Sequence, residues 1–223
     1  GLSNFTLTDD GSVFGSNTRT FTNLLPGTYS VVENSLSGWD LNNAICSDGS
    51  INTAINLSAG ENVTCTFTNL MRGAIGGHKY NDLDGDANTT TDRTGVLGWT
   101  IFIDTDKDGN LDAGESSTLT DLNGSYGFTN LVPGVYQLRE VLIPGSGWYK
   151  IYPTTDYIDV TLDPGEQDYH NDFINVEEAT ITVYKNVDTD GDGDIDVTNS
   201  PDWKWDVNGT GSYTTGTTLS NVR

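Results

Sequence analysis

Positive charge is scarce in this chain of 223 residues: 10 Lys and Arg stand against 32 Asp and Glu, a formal charge of −22. Nucleic acid and anionic membrane surfaces are held mainly through Lys and Arg, so neither is an expected partner, and cations are. No apolar run approaches the roughly 18 residues of a membrane helix, so no membrane insertion is expected. Histidine is nearly absent. His78 and His170 have no Ser or Cys nucleophile and no zinc-ligand spacing nearby, and no enzyme is expected. Cysteine is limited to Cys46 and Cys65, outside any C-x-x-C spacing. The start at Gly1 rather than Met leads us to expect a mature or excised fragment.

Sustained helical periodicity is also missing. Short runs that alternate apolar and polar residues (YSVVE, VTCTFTN, WTIFID, YQLREV, TITVYKNV) lie between turns rich in Gly, Pro, Asn and Asp, with 26 Gly in all. An all-β chain of tandem Ig-like sandwiches is expected. Residues 21–33, FTNLLPGTYSVVE, match residues 128–140, FTNLVPGVYQLRE, at eight of thirteen positions. The match continues from Gly38-Trp39 to Gly147-Trp148, and from Leu57, Gly60, Glu61, Phe67 and Asn69 to Leu162, Gly165, Glu166, Phe173 and Asn175.

Three units follow. Residues 1–72 form a sandwich lacking its opening strands, 73–176 a complete one, and 177–223 the opening strands of a further one. Tail and head together would make about one domain. Two readings are open: a window cut from a longer array of adjoining repeats, or a protomer whose tail completes the head of another copy by head-to-tail strand complementation.

Cys46 and Cys65 are each flanked by strand-like residues. Either they form a structural disulfide, which the other extracellular features favour, or they are two buried thiols.

Residues 104–115, DTDKDGNLDAGE, carry Asp104, Asp106, Asp108, Asn110, Asp112 and Glu115 at positions 1, 3, 5, 7, 9 and 12, with Gly109 at 6. This is the EF-hand ligand spacing, in which alternate oxygens surround a Ca2+ ion. The bland reading, a solvated acidic turn, leaves five carboxylates in mutual repulsion. Residues 188–199 repeat it with Asp188, Asp190, Asp192, Asp194 and Asp196, but Asn199 at position 12 weakens the expected affinity. In a third stretch Asp82, Asp84 and Asp86 are candidate ligands, Ala87 stands where Gly belongs, and Asp92 falls one place early. Asp121 is expected to close a tight turn. The three loops hold 14 of the 32 acidic residues. No amphipathic helix flanks them, so calcium would stiffen rather than switch.

Strand parity exposes an unusual trio. Glu140 shares a face with Tyr136 and Leu138, Glu33 with Tyr29 and Val31, Asn175 with Phe173, Asn69 with Cys65 and Phe67, and Lys185 with Ile181, Val183 and Val187. Lys79 follows Ile75 and Gly77 less clearly. A Lys, a Glu and an Asn facing one core can form an isopeptide bond, because burial favours the neutral amine and the neutral acid. For Lys79, Glu140 and Asn175 the bond would be internal; for Lys185, with Glu33 and Asn69 of a neighbouring copy, it would join two copies. The bland reading is a partly buried ion pair.

The middle unit (GHKYNDLDGD, GVLGWTIFIDTDKDGNLDAGE, TDLNGSYGFTNLVPGVYQLRE) closely resembles the B-type repeats of serine-aspartate repeat adhesins, within the collagen-adhesin B-type, prealbumin-like superfamily. The flanking units resemble other members. The resemblance implies calcium-rigidified sandwiches in stalks or fibre shafts on prokaryotic surfaces, some with Lys–Asn bonds assisted by a Glu.

The function expected is an extracellular structural module of a cell-surface filament or adhesin stalk. The alternative is a ligand-binding adhesin domain for surface glycans or a cell-surface partner, using Trp39, Trp99, Trp148, Trp203 or Trp205. Asn4, Asn56, Asn62, Asn88, Asn123 and Asn208 stand in Asn-x-Ser/Thr sequons.

Overall fold

The computed structural model of the chain describes residues 3–9 and 17–182. Gly1–Glu178 form one compact unit. Lys185, Asp188, Asp190, Asp192, Asp194, Asp196, Trp203, Trp205 and Asn208 lie outside the described residues. Among the described residues all regular structure is β, as the alternation predicts, and no helix is long and apolar enough to cross a membrane.

The first repeat supplies β1 (Gly27–Tyr29), β2 (Trp39–Cys46), β3 (Ile55–Leu57) and β4 (Cys65–Met71). The second supplies β5 (Gly73–Asp82), β6 (Arg93–Gly95), β7 (Thr100–Ile103), β8 (Ser117–Leu119), β9 (Ser125–Leu131), β10 (Gly134–Glu140), β11 (Trp148–Tyr152), β12 (Ile158–Leu162), β13 (Gln167–Asp168) and β14 (Phe173–Glu177).

In the second repeat two sheets face each other. One has the order β12-β10-β7-β8 and the other β11-β14-β5-β13, with β6 and β9 also on β5. Ile101, Ile103, Leu138, Val160 and Leu162 from the first meet Ile75, Tyr126, Phe128 and Phe173 from the second in one buried cluster. Each fully buried side chain of this kind contributes roughly 1.5–3 kcal/mol relative to exposure.

Strand β5 organises its sheet. Its first half runs antiparallel to β9 and parallel to β13, and its second half pairs β6 and, in parallel, β14. Neighbouring backbones crowd it so closely that side chains must be missing. A Cβ on Gly77 would lie 2.1 Å from the carbonyl oxygen of Asn171. That crowding explains the weak apolar parity before Lys79.

The first repeat copies the later half of the second. β1 pairs β3 with Gly27 opposite Leu57 and Tyr29 opposite Ile55, as β10 pairs β12 with Gly134 opposite Leu162 and Tyr136 opposite Val160. β2 pairs β4 with Trp39 opposite Met71 and Leu41 opposite Asn69, as β11 pairs β14 with Trp148 opposite Glu177 and Lys150 opposite Asn175. Both ladders slip register just after that second pair. The Tyr29 hydroxyl donates to the Leu25 carbonyl and that of Tyr136 to Val132, four residues back in each case. Cys46 and Cys65 face each other across β2 and β4 and are disulfide-bonded.

Gly77→Ala is expected to destabilise the second repeat by about 1–3 kcal/mol or more, because a backbone oxygen cannot retreat as a flexible side chain would. Urea unfolding monitored by Trp fluorescence checks this; an unchanged midpoint would contradict the crowding of β5.

Candidate functional site

Lys79 lies on β5 and Asn175 on β14, adjacent parallel strands on which Phe173 stands opposite Lys79. Residues two apart on a strand share a face, so Lys79, Phe173 and Asn175 all point into the core. Glu140 ends β10 in the facing sheet, two residues after the buried Leu138. Lys79 and Asn175 are fully buried, and the Glu140 side chain is 3% exposed. The three residues chosen by parity therefore meet.

Lys79 Nζ and Asn175 Nδ2 both lie 3.0 Å from Glu140 Oε2. The amide donates a hydrogen bond there. The lysine contact is a close ion pair without hydrogen-bond alignment, and Nζ has no hydrogen-bond acceptor. Asn175 Oδ1 and Glu140 Oε1 are also buried without partners. Three of the five such atoms among the described residues thus belong to this trio.

Buried polar atoms are nearly always satisfied, and a buried ion pair regains its desolvation cost only with good geometry. Desolvation by burial pushes the Lys79 amine down to about 8, against the opposing pull of Glu140. Moving one proton from Lys79 to Glu140 removes both charges and leaves a nucleophilic amine. It also gives the carboxyl group an O–H that can donate to an acceptor such as the amide oxygen of Asn175.

Trp99, just before β7, floors the site: Lys79 Nζ sits 4.7 Å from its ring centre. Trp148 packs edge-to-face on Trp99 at 5.3 Å. These two, with Val141 and Ile143, line a cavity of about 230 Å³. The recurring Gly-Trp pattern favours packing or a turn over a ligand platform for such tryptophans, but the contact of Trp99 with Lys79 depends on sheet pairing that no local pattern announces. Trp39, the counterpart of Trp148, is 42% exposed.

In the acidic loop after β7, carboxylate oxygens of Asp104, Asp106 and Asp108 lie within 4.8 Å of one another. The buried Asp104 accepts from the backbone N–H groups of Lys107 and Gly109 and from Arg139. Burial opposes its ionised form, but those donors hold its pKa low. Glu115 closes the loop, accepting from Thr105 N at 2.7 Å and Asp112 N at 3.1 Å. Asn110 donates its N–H to Asp108. The neighbouring Asp108, then desolvation and the charges of Asp106, Glu115 and Asp104, raise the pKa of Asp112. This all-oxygen, mutually repelling set fits a hard divalent cation.

The second acidic stretch groups Asp82, Asp84 and Asp92. The Asp86 carboxylate instead accepts from Asn88. Asp92 is a grouped residue that spacing alone did not select. Burial first, then Asp84 and Asp92, raises the pKa of Asp82, while Arg93 opposes them. Asp121 closes its turn, accepting from the N–H groups of Asn123 and Ser125.

The first repeat holds a partial copy of the trio. Asn69 Nδ2 donates to Glu33 Oε1 at 2.8 Å, as Asn175 does to Glu140. Parity places Glu33 toward a core, yet it is exposed. No described strand covers it.

Residues 3–67 match a family of prealbumin-like fold domains. The resemblance read from the motifs holds at that level. No curated protein matches the chain. Among solved structures, the chain is similar to the minor pilin of Streptococcus agalactiae (18% identity, 59% of this chain and 62% of that one, TM-score 0.36). It is also similar to a streptococcal ancillary pilin (21%, 71% and 44%, 0.35) and to the major pilin subunit of Bacillus cereus (20%, 56% and 36%, 0.33). The chain spans less than two thirds of each.

A lysine whose pKa falls on folding makes stability depend on pH in a fixed direction. Between about pH 8 and 10.5 the unfolded chain holds a proton that folded Lys79 has released, so stability rises with pH across that window. In Asn175→Ala, which cannot form the bond, urea unfolding at pH 7 and pH 10 should show this rise relative to Asn175→Ala/Lys79→Met. Parallel pH profiles would contradict the depressed pKa.

Proposed function

We propose that this chain is a structural module of an extracellular surface filament or adhesin stalk, locked by an internal Lys79–Asn175 isopeptide bond and stiffened by calcium. The buried trio with its three unsatisfied atoms carries this reading. TM-scores of 0.33–0.36 are too low for the pilins to support it.

The chemistry balances within the site. Lys79 passes a proton to Glu140, and its neutral Nζ attacks Cγ of Asn175, whose carbonyl the protonated Glu140 polarises. The new Nζ–Cγ bond forms, the Cγ–Nδ2 bond breaks, and Glu140 moves the amine proton to the departing nitrogen, which leaves as ammonia. The core excludes water that would otherwise compete. The product has no charge on Nζ, and Glu140 remains as the acceptor for its one N–H.

Such a bond ties β5, the first strand of the repeat, to β14, the last. Tension applied at the two ends then passes through a covalent link rather than through ladder hydrogen bonds. Calcium held by Asp104, Asp106 and Asp108, with Glu115 closing the loop, would fix the connection from β7 to β8. Asp82, Asp84 and Asp92 would do the same after β5. The disulfide and the high negative charge suit an extracellular setting.

With the disulfide reduced, intact mass of the purified chain is expected to fall about 17 Da below the sequence value, the loss of one ammonia, and Glu140→Ala should restore the full mass. Full mass in the unaltered chain would contradict the bond. Chelation should lower the melting temperature, since about 100-fold excess of a cation over its dissociation constant stabilises by roughly 2.7 kcal/mol. Asp104→Ala/Asp106→Ala should shrink that response, leaving the share of the Asp82, Asp84 and Asp92 group; an unaltered chain indifferent to chelator would contradict calcium.

A further inference from the structure

Five buried side-chain atoms lack a hydrogen-bond partner among the described residues, and the two outside the trio are Asn81 Oδ1 and Trp99 Nε1. Both residues stand beside it. Trp99 meets Lys79 face-on, and Asn81 lies two residues beyond Lys79 on β5, so Lys79 and Asn81 share a face. The parallel register of β5 and β14 sets Asn81 opposite Asn175, as it sets Lys79 opposite Phe173. Residues paired in this way point to the same side of the sheet, on strands about 4.8 Å apart. An unpaired, buried oxygen therefore neighbours the amide that the reaction breaks.

We propose, on the Lys79–Asn175 chemistry set out above, that Asn81 takes part in bond formation: its side-chain oxygen accepts an N–H of the Asn175 nitrogen as that nitrogen leaves.

Amide geometry explains why this oxygen is idle beforehand. In planar Asn175, conjugation holds both N–H groups of Nδ2 in the amide plane, and one is given to Glu140 Oε2 at 3.0 Å. Attack by Lys79 Nζ makes Cγ tetrahedral and ends the conjugation. Nδ2 turns pyramidal, its N–H groups swing out of the old plane, and it gains a third when Glu140 passes it the amine proton. The Cγ–Nδ2 bond then breaks, and ammonia departs with three N–H groups in a core that holds few acceptors. Glu140 takes one and Asn81 Oδ1 another. Of the two residues in register with Asn175, only Asn81 offers an oxygen. On the other edge of β14 stands Lys150, whose ammonium has donors alone and is held by Asp156 and the Thr155 carbonyl.

An acceptor that is unpaired in the unreacted core and engaged as the bond breaks favours the transition state over the ground state. The cost of burying it falls on the unreacted fold. Asn81 thus speeds the reaction by the same unsatisfied hydrogen-bonding capacity that makes it a poor structural residue.

The test follows the full chain during cell-free synthesis, with samples reduced and weighed intact to give the rate at which about 17 Da is lost. Asn81→Leu, similar in size but without an oxygen, should bond about tenfold more slowly. Asn81→Gln, which returns an amide oxygen one methylene further out, should recover part of that rate. Stability is compared in a Lys79→Met background, which cannot bond. There Asn81→Leu removes an unsatisfied polar atom, so its urea midpoint should be unchanged or higher. Slower bonding without loss of stability supports the role. Equal bonding rates in Asn81→Leu and the unaltered chain, no recovery with Gln, or a lowered midpoint in the Lys79→Met background would overturn it while leaving the Lys79–Asn175 bond standing. An unaltered chain that keeps its full mass throughout would overturn both.

Discussion

An ammonium group cannot stay in the dry core of a β-sandwich at little cost, and the second repeat is arranged around that constraint. Lys79 is fully buried, with one carboxylate and the face of Trp99 as its surroundings. Opposite charge alone does not settle such a group, because neither ion has its full complement of hydrogen bonds. A proton transfer would remove both charges, and the proposed bond to Asn175 would make the neutral state permanent. The features that are costly in an unreacted core become the conditions for reaction.

The rest of the architecture serves this contact. Lys79 and Asn175 meet because β5 and β14 are adjacent and parallel, which requires the chain to cross between sheets before its last strand returns beside its first. Glu140 reaches them because β10 lies across the core. The glycines of β5 admit the crowding backbones that keep water out. Outside the core, the acidic loops sit at strand ends, where cations would brace turns without touching the sandwich interior. The two proposed devices would therefore act on different parts: the bond would join the terminal strands, and calcium would stiffen the connections.

Strand parity placed Glu140 and Asn175 in the core because each lies two residues after a large apolar side chain, Leu138 and Phe173, and both of these are buried. Lys79 was harder to read: Gly77 interrupts its apolar face, for a reason that lies in the neighbouring backbone of Asn171. The contact with Trp99 and the grouping of Asp92 with Asp82 and Asp84 depend on pairings distant in sequence, so local spacing does not reveal them. Glu33 shows the reverse case. Its parity is that of a core residue, yet it is exposed, and no described strand covers it. The disulfide between Cys46 and Cys65 settles a choice that sequence alone had left open.

The central claim is that Lys79 and Asn175 are covalently joined, and tryptic peptide mapping locates such a bond directly. A bonded Lys79 resists cleavage, so residues 73–93 should appear joined to residues 151–185 in one branched peptide, lighter than the pair by about 17 Da. Recovery of separate, unmodified peptides, with cleavage after Lys79, would contradict the account.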